Sequence, residues 1–477
     1  MAAKSNTKIW IHFCIMVALI VIIGQLPCFG SVTPMGMKIL GVFIGTLYGW
    51  LTIDFIISSI VGMLFLGLSG YGTVQEVFCA GFSDSTVVMM TMSFFLVAFL
   101  NHVDLTGALA GWLLTRKFSE GKPWLIITMV FAIAFILGAI SSFASMLLLW
   151  AVMYKVADKL DLKKRSLIMA YILCGIVFFA GNGGYLFPFK GGSIMFSGTI
   201  KEVAGTIPNL EWYFAVIWSH LAFLILYVFM GRFVLRLHAE AFRKPDVFEE
   251  LKGQKWTKQQ KWGLYANIFL IIFLTVPDFL PASSLKTVWS SFGIIGATVI
   301  ILAAGYLISV DGERLLKNPI EACKDGMMWD VFFMIAATMP IGAALRADEA
   351  GIMSTVVPFI MGLTGDMSWI VFTVICAIVL GLLTQVSHNL IIAMVIFPTF
   401  SGICVNMGGD PILWFFVNFW AIMAAYTTPA GSGFSAVMHG NTEWLTTKQA
   451  YGLGFSTLVV TWIGSFVFLI PAWLLLF

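Results

Sequence analysis

Apolar runs near 20 residues long recur along almost the whole 477-residue chain, matching the thickness of a bilayer's hydrocarbon core. Backbone placed at that depth must satisfy its own hydrogen bonds, which restricts such a chain to membrane-spanning helices that pack on one another. The charge content agrees. Only 11% of residues are charged and 60% are hydrophobic, with a mean hydropathy of +0.96, whereas a soluble domain is about 25% charged. A net charge of +3 and no basic-aromatic stripe exclude nucleic-acid binding. The fold class expected is an all-α polytopic membrane protein.

Candidate segments fall at 9–27, 36–53, 55–70, 85–101, 123–157, 165–200, 211–236, 262–281, 288–310, 328–346, 368–402, 411–440 and 450–475. The runs 123–157 and 368–402 are too long for one crossing. Each has a polar centre, Gly138-Ala139-Ile140-Ser141-Ser142 and Thr384-Gln385-Val386-Ser387-His388-Asn389. Both read as re-entrant helical hairpins. The runs 165–200 and 411–440 are interrupted by Gly181-Asn182-Gly183-Gly184 to Gly192 and by Thr427-Thr428-Pro429-Ala430-Gly431-Ser432-Gly433. Glycine and proline at that density unwind a helix, and unwound backbone at depth must line a protein or polar cavity.

Each half therefore repeats one order: three helices, a hairpin, a broken helix and a full helix. Five crossings per half is odd, so the halves are expected to be inverted. The organisation expected is a first helix at 1–35, repeats at 36–236 and 262–477, and a linker at 237–261, with about 11 transmembrane helices and two hairpins. The N-terminal run reads as an uncleaved helix rather than a signal peptide.

With the N-terminus in the cytoplasm, inside segments carry 22 Lys and Arg and outside segments only 4, namely Lys38, Lys201, Lys286 and Arg346. The remaining cation is Lys190, inside the first broken helix. Eight basic residues between Arg232 and Lys261 suit a solvated linker, or one drawn to anionic lipid headgroups. The seven cysteines have no CxxC pairing and are expected to pack as small buried apolar groups.

The tips and breaks are the polar clusters expected at depth. Helices ending there aim free N–H groups and positive dipole ends at a common point, which suits a carboxylate, while carbonyls and hydroxyls suit Na⁺. The first half offers Ser141, Ser142, Asn182, Gly183, Gly184, Lys190 and Ser193. The second offers Ser387, His388, Asn389, Thr427, Thr428, Pro429, Gly431, Ser432 and Ser435. His388 could donate to a carboxylate, titrate, or simply close the tip. His12 and His220 read as packing residues, and His439 is left open.

Gly49-Trp50-Leu51-Thr52, Val74-Gln75-Glu76-Val77-Phe78 and Gly81-Phe82-Ser83-Asp84, with the hairpins and breaks that follow, resemble the divalent anion:sodium symporter (DASS) family of the ion transporter superfamily. That family carries Ser-Asn-Thr at each hairpin tip, ten residues before a proline. Counting back from Pro398 sets His388-Asn389-Leu390 over the second tripeptide, and Ser141-Ser142-Phe143 aligns with the first. The family's break is matched by Thr428-Pro429-Ala430-Gly431-Ser432-Gly433-Phe434-Ser435 and reduced to Phe187-Pro188-Phe189-Lys190-Gly191 in the first half.

The resemblance implies carboxylate held at the Asn and Thr positions, two sodium ions held by neighbouring oxygens, and a homodimer. Here the first tip lacks Asn and both lack Thr, and Lys190 stands where the family has glycine beside a sodium ion. An ammonium at bilayer depth costs about 2.5–3.5 kcal/mol on insertion scales, so Lys190 is a functional candidate. It either replaces that ion, pairs with an anionic substrate, or snorkels to the interface.

The function expected is secondary active transport of a small organic anion resembling a di- or tricarboxylate, by an elevator-type movement in the plasma or inner membrane. The runner-up is a sodium-driven dicarboxylate symporter keeping one sodium site at Ser387, Asn389, Thr427 and Thr428; an anion channel is the reading of another class. No HExxH, acidic pair within a span or nucleophile elbow supports an enzyme. No organic cofactor is expected, sodium being the one ion in question, and membrane lipid and the anion are the expected partners.

Overall fold

The computed structural model describes residues 6–477 except 115–120, 191–192, 206–208, 244–247, 249–254, 282, 311, 317, 319–323, 325–326, 365–366 and 388. His388 lies outside the described residues. The first part of the chain forms α1 (Asn6–Gly24), α2 (Pro34–Thr52), α3 (Phe55–Gly67), α4 (Val74–Phe82), α5 (Ser85–His102) and α6 (Leu105–Leu114). It continues with α7 (Pro123–Lys159), α8 (Leu167–Gly183), α9 (Ser193–Ala204) and α10 (Asn209–Phe229). Beyond the linker come α11 (Lys258–Phe279), α12 (Ser284–Leu307), a two-residue ladder of β1 (Ser309–Val310) and β2 (Glu313–Arg314), α13 (Trp329–Arg346) and α14 (Met353–Thr364). Then follow α15 (Trp369–Leu383), α16 (Asn389–Asn406), α17 (Pro411–Met423), α18 (Gly433–Gly440), α19 (Thr447–Ile463) and α20 (Ile470–Leu476).

This is an all-α polytopic membrane protein. Among the described residues seven helices are long and apolar enough to span, or eight if α4 and α5, bent by 45° at their junction, count as one. Five shorter apolar helices accompany them. Three helices, α4, α6 and α14, lie outside the segments read from the sequence. Asp54, the acidic residue nearest to lying inside a span, caps α3 by accepting the Ile57 N–H at 2.7 Å.

The first long run turns back on itself. Ser141 takes extended angles (φ −156°, ψ 101°) in the middle of α7. Gly175 of α8 lies against the Phe131 ring, while the Trp150 indole N–H donates to the Leu173 carbonyl at 3.0 Å. In an unbroken helix Phe131 and Trp150 would stand about 28 Å apart, too far to meet neighbouring residues of one helix. The arms 123–140 and 142–159 are therefore a hairpin around α8. In the second half Phe372 of α15 stacks on Phe400 of α16, with ring centroids 6.3 Å apart, so this run folds back between α15 and α16 in the same way.

Each hairpin sheathes the helix that follows it. Every residue of α8 from Ile168 to Gly183 is buried, as is every residue of α17 from Leu413 to Met423. Helices apolar all round occupy the middle of a bundle, and these two are the ones that break. Their ends meet: Tyr426 sets its ring edge-on to Phe178, and Phe143 and Phe434 approach within 5.3 Å.

Segments expected to share a membrane face do meet. Lys164 pairs with Glu443, Arg165 Nε donates to the Thr442 carbonyl at 3.0 Å, and the Gln449 amide donates to the Arg165 carbonyl at 2.8 Å. The carboxylate of Glu443 holds the Lys164 ammonium above its ordinary pKa. Gln260 reaches Asp104 at 3.2 Å, and Thr33 bonds the Glu349 carbonyl at 2.8 Å.

Two expectations need correction. Cys174, Cys376 and Cys404 are buried, but Cys14 on α1, Cys79 on α4 and Cys28 in the turn between α1 and α2 are exposed. The linker is not wholly solvated either: Leu237, Ala239 and Phe242 are buried, and the turn at Glu240–Arg243 packs against α7.

The close approach of hairpin and broken helix rests on glycine. A Cβ at Gly183 would lie 2.1 Å from the Phe135 carbonyl oxygen, and one at Gly138 would lie 2.3 Å from that of Ala180. Backbone cannot yield as a flexible side chain does. Gly183→Ala is expected to cost about 1–3 kcal/mol through overpacking, read as a lower melting temperature in detergent. Gly452→Ala, where nothing lies within 4 Å of the added carbon, is expected to be neutral or slightly stabilising. Equal melting temperatures for the two variants would refute this packing account.

Candidate transport site

The second break is held by the second hairpin tip through a residue that the sequence reading quoted but did not rank. The Gln385 side-chain amide donates to the carbonyls of Gly381 at 2.6 Å and Ala424 at 3.1 Å, and its oxygen accepts the Thr427 N–H at 3.0 Å. The Thr428 hydroxyl donates to the Gln385 carbonyl, and the Asn389 N–H donates to the Gly431 carbonyl at 2.8 Å. Asn389, Thr427, Thr428 and Gly431 are thereby gathered at one point.

Ser432 and Ser435 complete the break. Ser432 caps α18, accepting the Ser435 N–H at 3.1 Å, and donates to the Ala425 carbonyl at 3.0 Å. The Ser435 hydroxyl lies 2.6 Å from the Thr428 carbonyl and 3.1 Å from that of Tyr426. These hydroxyls are engaged in shaping the turn. Pro429 is exposed at its outer edge, and Ser387 is half-buried with its N–H on the Leu383 carbonyl. His439 bonds the Tyr426 carbonyl at 3.3 Å, which settles its place at the break.

The first break is held differently. Tyr185, Leu186, Lys190 and Ser193 each donate a backbone N–H to a carbonyl three residues back, forming a series of tight turns. Ser142 donates to Gly138 at 3.1 Å and Ser145 to Ser141 at 2.6 Å, so the first tip satisfies itself. Gly184 sits on the Ser142 hydroxyl, which seats the tip on the break. Lys190 is 3% exposed, and its ammonium donates to Asn267 Oδ1 of α11 at 3.0 Å. The snorkelling alternative is not the conformation observed.

The two breaks come together at Tyr426, whose hydroxyl would crowd any side chain added at Gly181, and at Tyr185, whose hydroxyl donates to the Met423 sulfur at 3.2 Å. Two buried oxygens here have no hydrogen-bond partner: Asn182 Oδ1 on the first break and Thr427 Oγ1 on the second. Each is one of several buried polar atoms among the described residues without a partner in the chain, and each leaves its break one oxygen to offer. The N-terminal ends of α16 and α18 both begin at the second break, which favours negative charge beside it. Among the described residues no three His, Cys, Asp or Glu side chains gather to hold a metal ion, so a cation here would take carbonyl and hydroxyl oxygens.

His220 and His12 take packing roles. His220 Nδ1 bonds the Val216 carbonyl at 2.6 Å with its ring stacked on Phe135, and His12 bonds the Tyr48 hydroxyl at 2.7 Å. Sequence reasoning passed over Gln385, Tyr185, Met423 and Asn267. Asn267 carried a usable signal, an uncharged polar residue inside an apolar run. Tyr185 and Met423 carried none, since neither departs from the apolar and aromatic runs around it.

Buried broken helices, each sheathed by a hairpin, suit a membrane transporter, and the chain is one of the ion transporter superfamily, which includes DASS-like members. Within it the chain belongs to the citrate transporter family, whose model matches residues 42–417. The resemblance read from the sequence leads to the same superfamily. Comparison with curated proteins finds no match.

Gln385→Leu keeps approximate volume but removes the donors to Ala424 and Gly381 and the acceptor for Thr427. Leaving such buried backbone groups unpaired costs about 1–3 kcal/mol each. The variant is expected to melt lower than the wild type and to lose uptake, whereas Val386→Ala, at an exposed neighbouring position, is expected to keep both. Wild-type melting and uptake in Gln385→Leu would show that the tip does not hold the break.

Proposed function

We propose that this protein is a secondary active transporter that carries citrate or a related di- or tricarboxylate across the cell membrane. The observation that carries the reading is the meeting of two helix breaks, one from each half, in a chain of the citrate transporter family. Helix ends and neutral donors at that point suit carboxylates. The halves at 36–236 and 262–477 act as inverted repeats. The N-terminus is cytoplasmic on the count of basic residues, 22 against 4.

The moving body comprises the hairpins and broken helices, sliding in an elevator manner against the α11–α12 pair. A cavity of about 260 Å³ supports this division. It lies between Pro188, Phe189 and Ile194 of the first break and Phe273, Leu274, Trp289 and Ile294 of α11 and α12. Lys190 crosses the same seam to Asn267. Its fixed positive charge offsets substrate charge in place of one sodium ion, and the homodimer expected from the resemblance holds α11 and α12 steady.

A sodium-coupled variant of this reading has one observation in its favour, the unpartnered Thr427 Oγ1. Asn389 Oδ1 accepts the Leu390 N–H at 2.8 Å and the Thr428 hydroxyl is turned to Gln385, so a sodium ion would have to draw both away from present partners.

The test is uptake of labelled citrate into proteoliposomes under imposed sodium and proton gradients. The wild type is expected to show saturable uptake that an internal carboxylate accelerates by counter-flow. Lys190→Gly is expected to lower uptake at least tenfold or to make it depend on sodium. Unchanged rate, affinity and ion dependence in that variant would remove Lys190 from the mechanism. A wild type that transports no di- or tricarboxylate would overturn the function itself.

A further inference from the structure

The Met423 sulfur, 2% exposed at the end of α17, is approached by donors from both halves of the chain. The Tyr185 hydroxyl lies 3.2 Å from it and the Asn389 amide nitrogen 3.5 Å. A thioether is among the weakest acceptors a protein offers. An O–H and an N–H₂ directed at it in a buried site are far from their best partner, because a carboxylate oxygen forms shorter and stronger hydrogen bonds.

Both donors are fixed in place. The Tyr185 carbonyl accepts the Trp212 indole N–H at 3.0 Å, and its ring is set edge-on to Phe419 with centroids 4.9 Å apart and packs on Phe196 and Trp420. The Asn389 backbone is tied to Gly431, and its Oδ1 accepts the Leu390 N–H, which leaves the amide N–H₂ facing the sulfur. Met423 is the adaptable member of the three, with an unbranched and polarizable side chain. At most 6.7 Å, the two distances end to end, separates the donors. One carboxylate with a hydrogen bond on either side fills that gap.

We propose that Tyr185 and Asn389 form a two-donor clamp for one carboxylate of the substrate, and that this carboxylate displaces the Met423 thioether. The clamp rests on the carboxylate-transport reading and adds a contact from the first half that the hairpin-tip motifs do not contain. It joins the two halves through the substrate: Tyr185 follows α8, Asn389 begins α16. Neutral donors take the carboxylate without adding charge, so Lys190 remains the one Lys or Arg within 167–200 and 411–440.

Uptake of citrate and of propane-1,2,3-tricarboxylate, which lacks the hydroxyl, tests the clamp in proteoliposomes. Wild-type uptake is measured first; if it carries neither acid, the transport reading has failed before any variant is made. Tyr185→Phe keeps the ring and removes the O–H. Its KM is expected to rise about 10- to 100-fold for both acids, as loss of a hydrogen bond to a charged group requires, with the maximal rate within about twofold. Met423→Leu preserves volume and removes the competing acceptor, so its KM is expected to fall by about 2- to 10-fold. Melting temperatures near wild type are expected for both. A KM in Tyr185→Phe within twofold of wild type overturns the clamp, as does a loss confined to citrate, which would put Tyr185 on the hydroxyl. A KM that rises in Met423→Leu overturns the displacement.

Discussion

Everything at the centre of this molecule follows from one requirement: a backbone carbonyl or N–H at membrane depth must find a partner inside the protein, at a cost of several kcal/mol when it does not. The chain meets it in two ways. In the second half the carbonyls of Ala424, Ala425, Tyr426 and Thr428 each accept from a side chain, Gln385, Ser432, His439 or Ser435. In the first half Tyr185, Leu186, Lys190 and Ser193 bond carbonyls three residues back, and the carbonyls of Gly184 and Tyr185 accept from the side chains of Ser193 and Trp212. The difference tracks composition, since hydroxyl-bearing residues crowd 427–435 while glycine and phenylalanine dominate 181–192. Two breaks that read alike in sequence are therefore built on different physics: the second is tied to its hairpin tip by side-chain hydrogen bonds, while the first is seated on its tip by close packing at Gly184.

Lys190 illustrates how burial and polarity are reconciled. A buried ammonium needs acceptors, and Asn267 supplies a neutral one from a helix outside the broken pair. A carboxylate in that place would have cancelled the charge locally. An amide oxygen solvates it while leaving its field available to an anion.

Much of the architecture was legible in the sequence because it depends on runs and interruptions. Hairpin centres at 138–142 and 384–389 and breaks at 181–192 and 427–433 coincide with the turn at Ser141, the fold-back between α15 and α16 and the ends of α8 and α17. What escaped depends on pairing across the chain. No periodicity marks Gln385 as the residue tying tip to break, or sets Tyr185 against Met423. Conversely Ser432, read as a ligand, spends its hydroxyl on Ala425 and its own helix cap. The short helices α4, α6 and α14 were missed because none is long enough to cross a bilayer alone. Exposed Cys14 was misjudged because an apolar run does not distinguish a face covered by protein from one left open, and Cys28 and Cys79 lie outside the runs altogether.

The packing of the broken helices is uneven. At one end they are fastened to each other by Lys164, Arg165, Glu443 and Gln449, while the seam toward α11 and α12 holds about 260 Å³ of unfilled space. The seam is open on one side, so a rearrangement that closes it must expel whatever enters there from lipid or water. The composition of the surrounding bilayer thereby becomes a variable by which the two sides of the seam can be told apart.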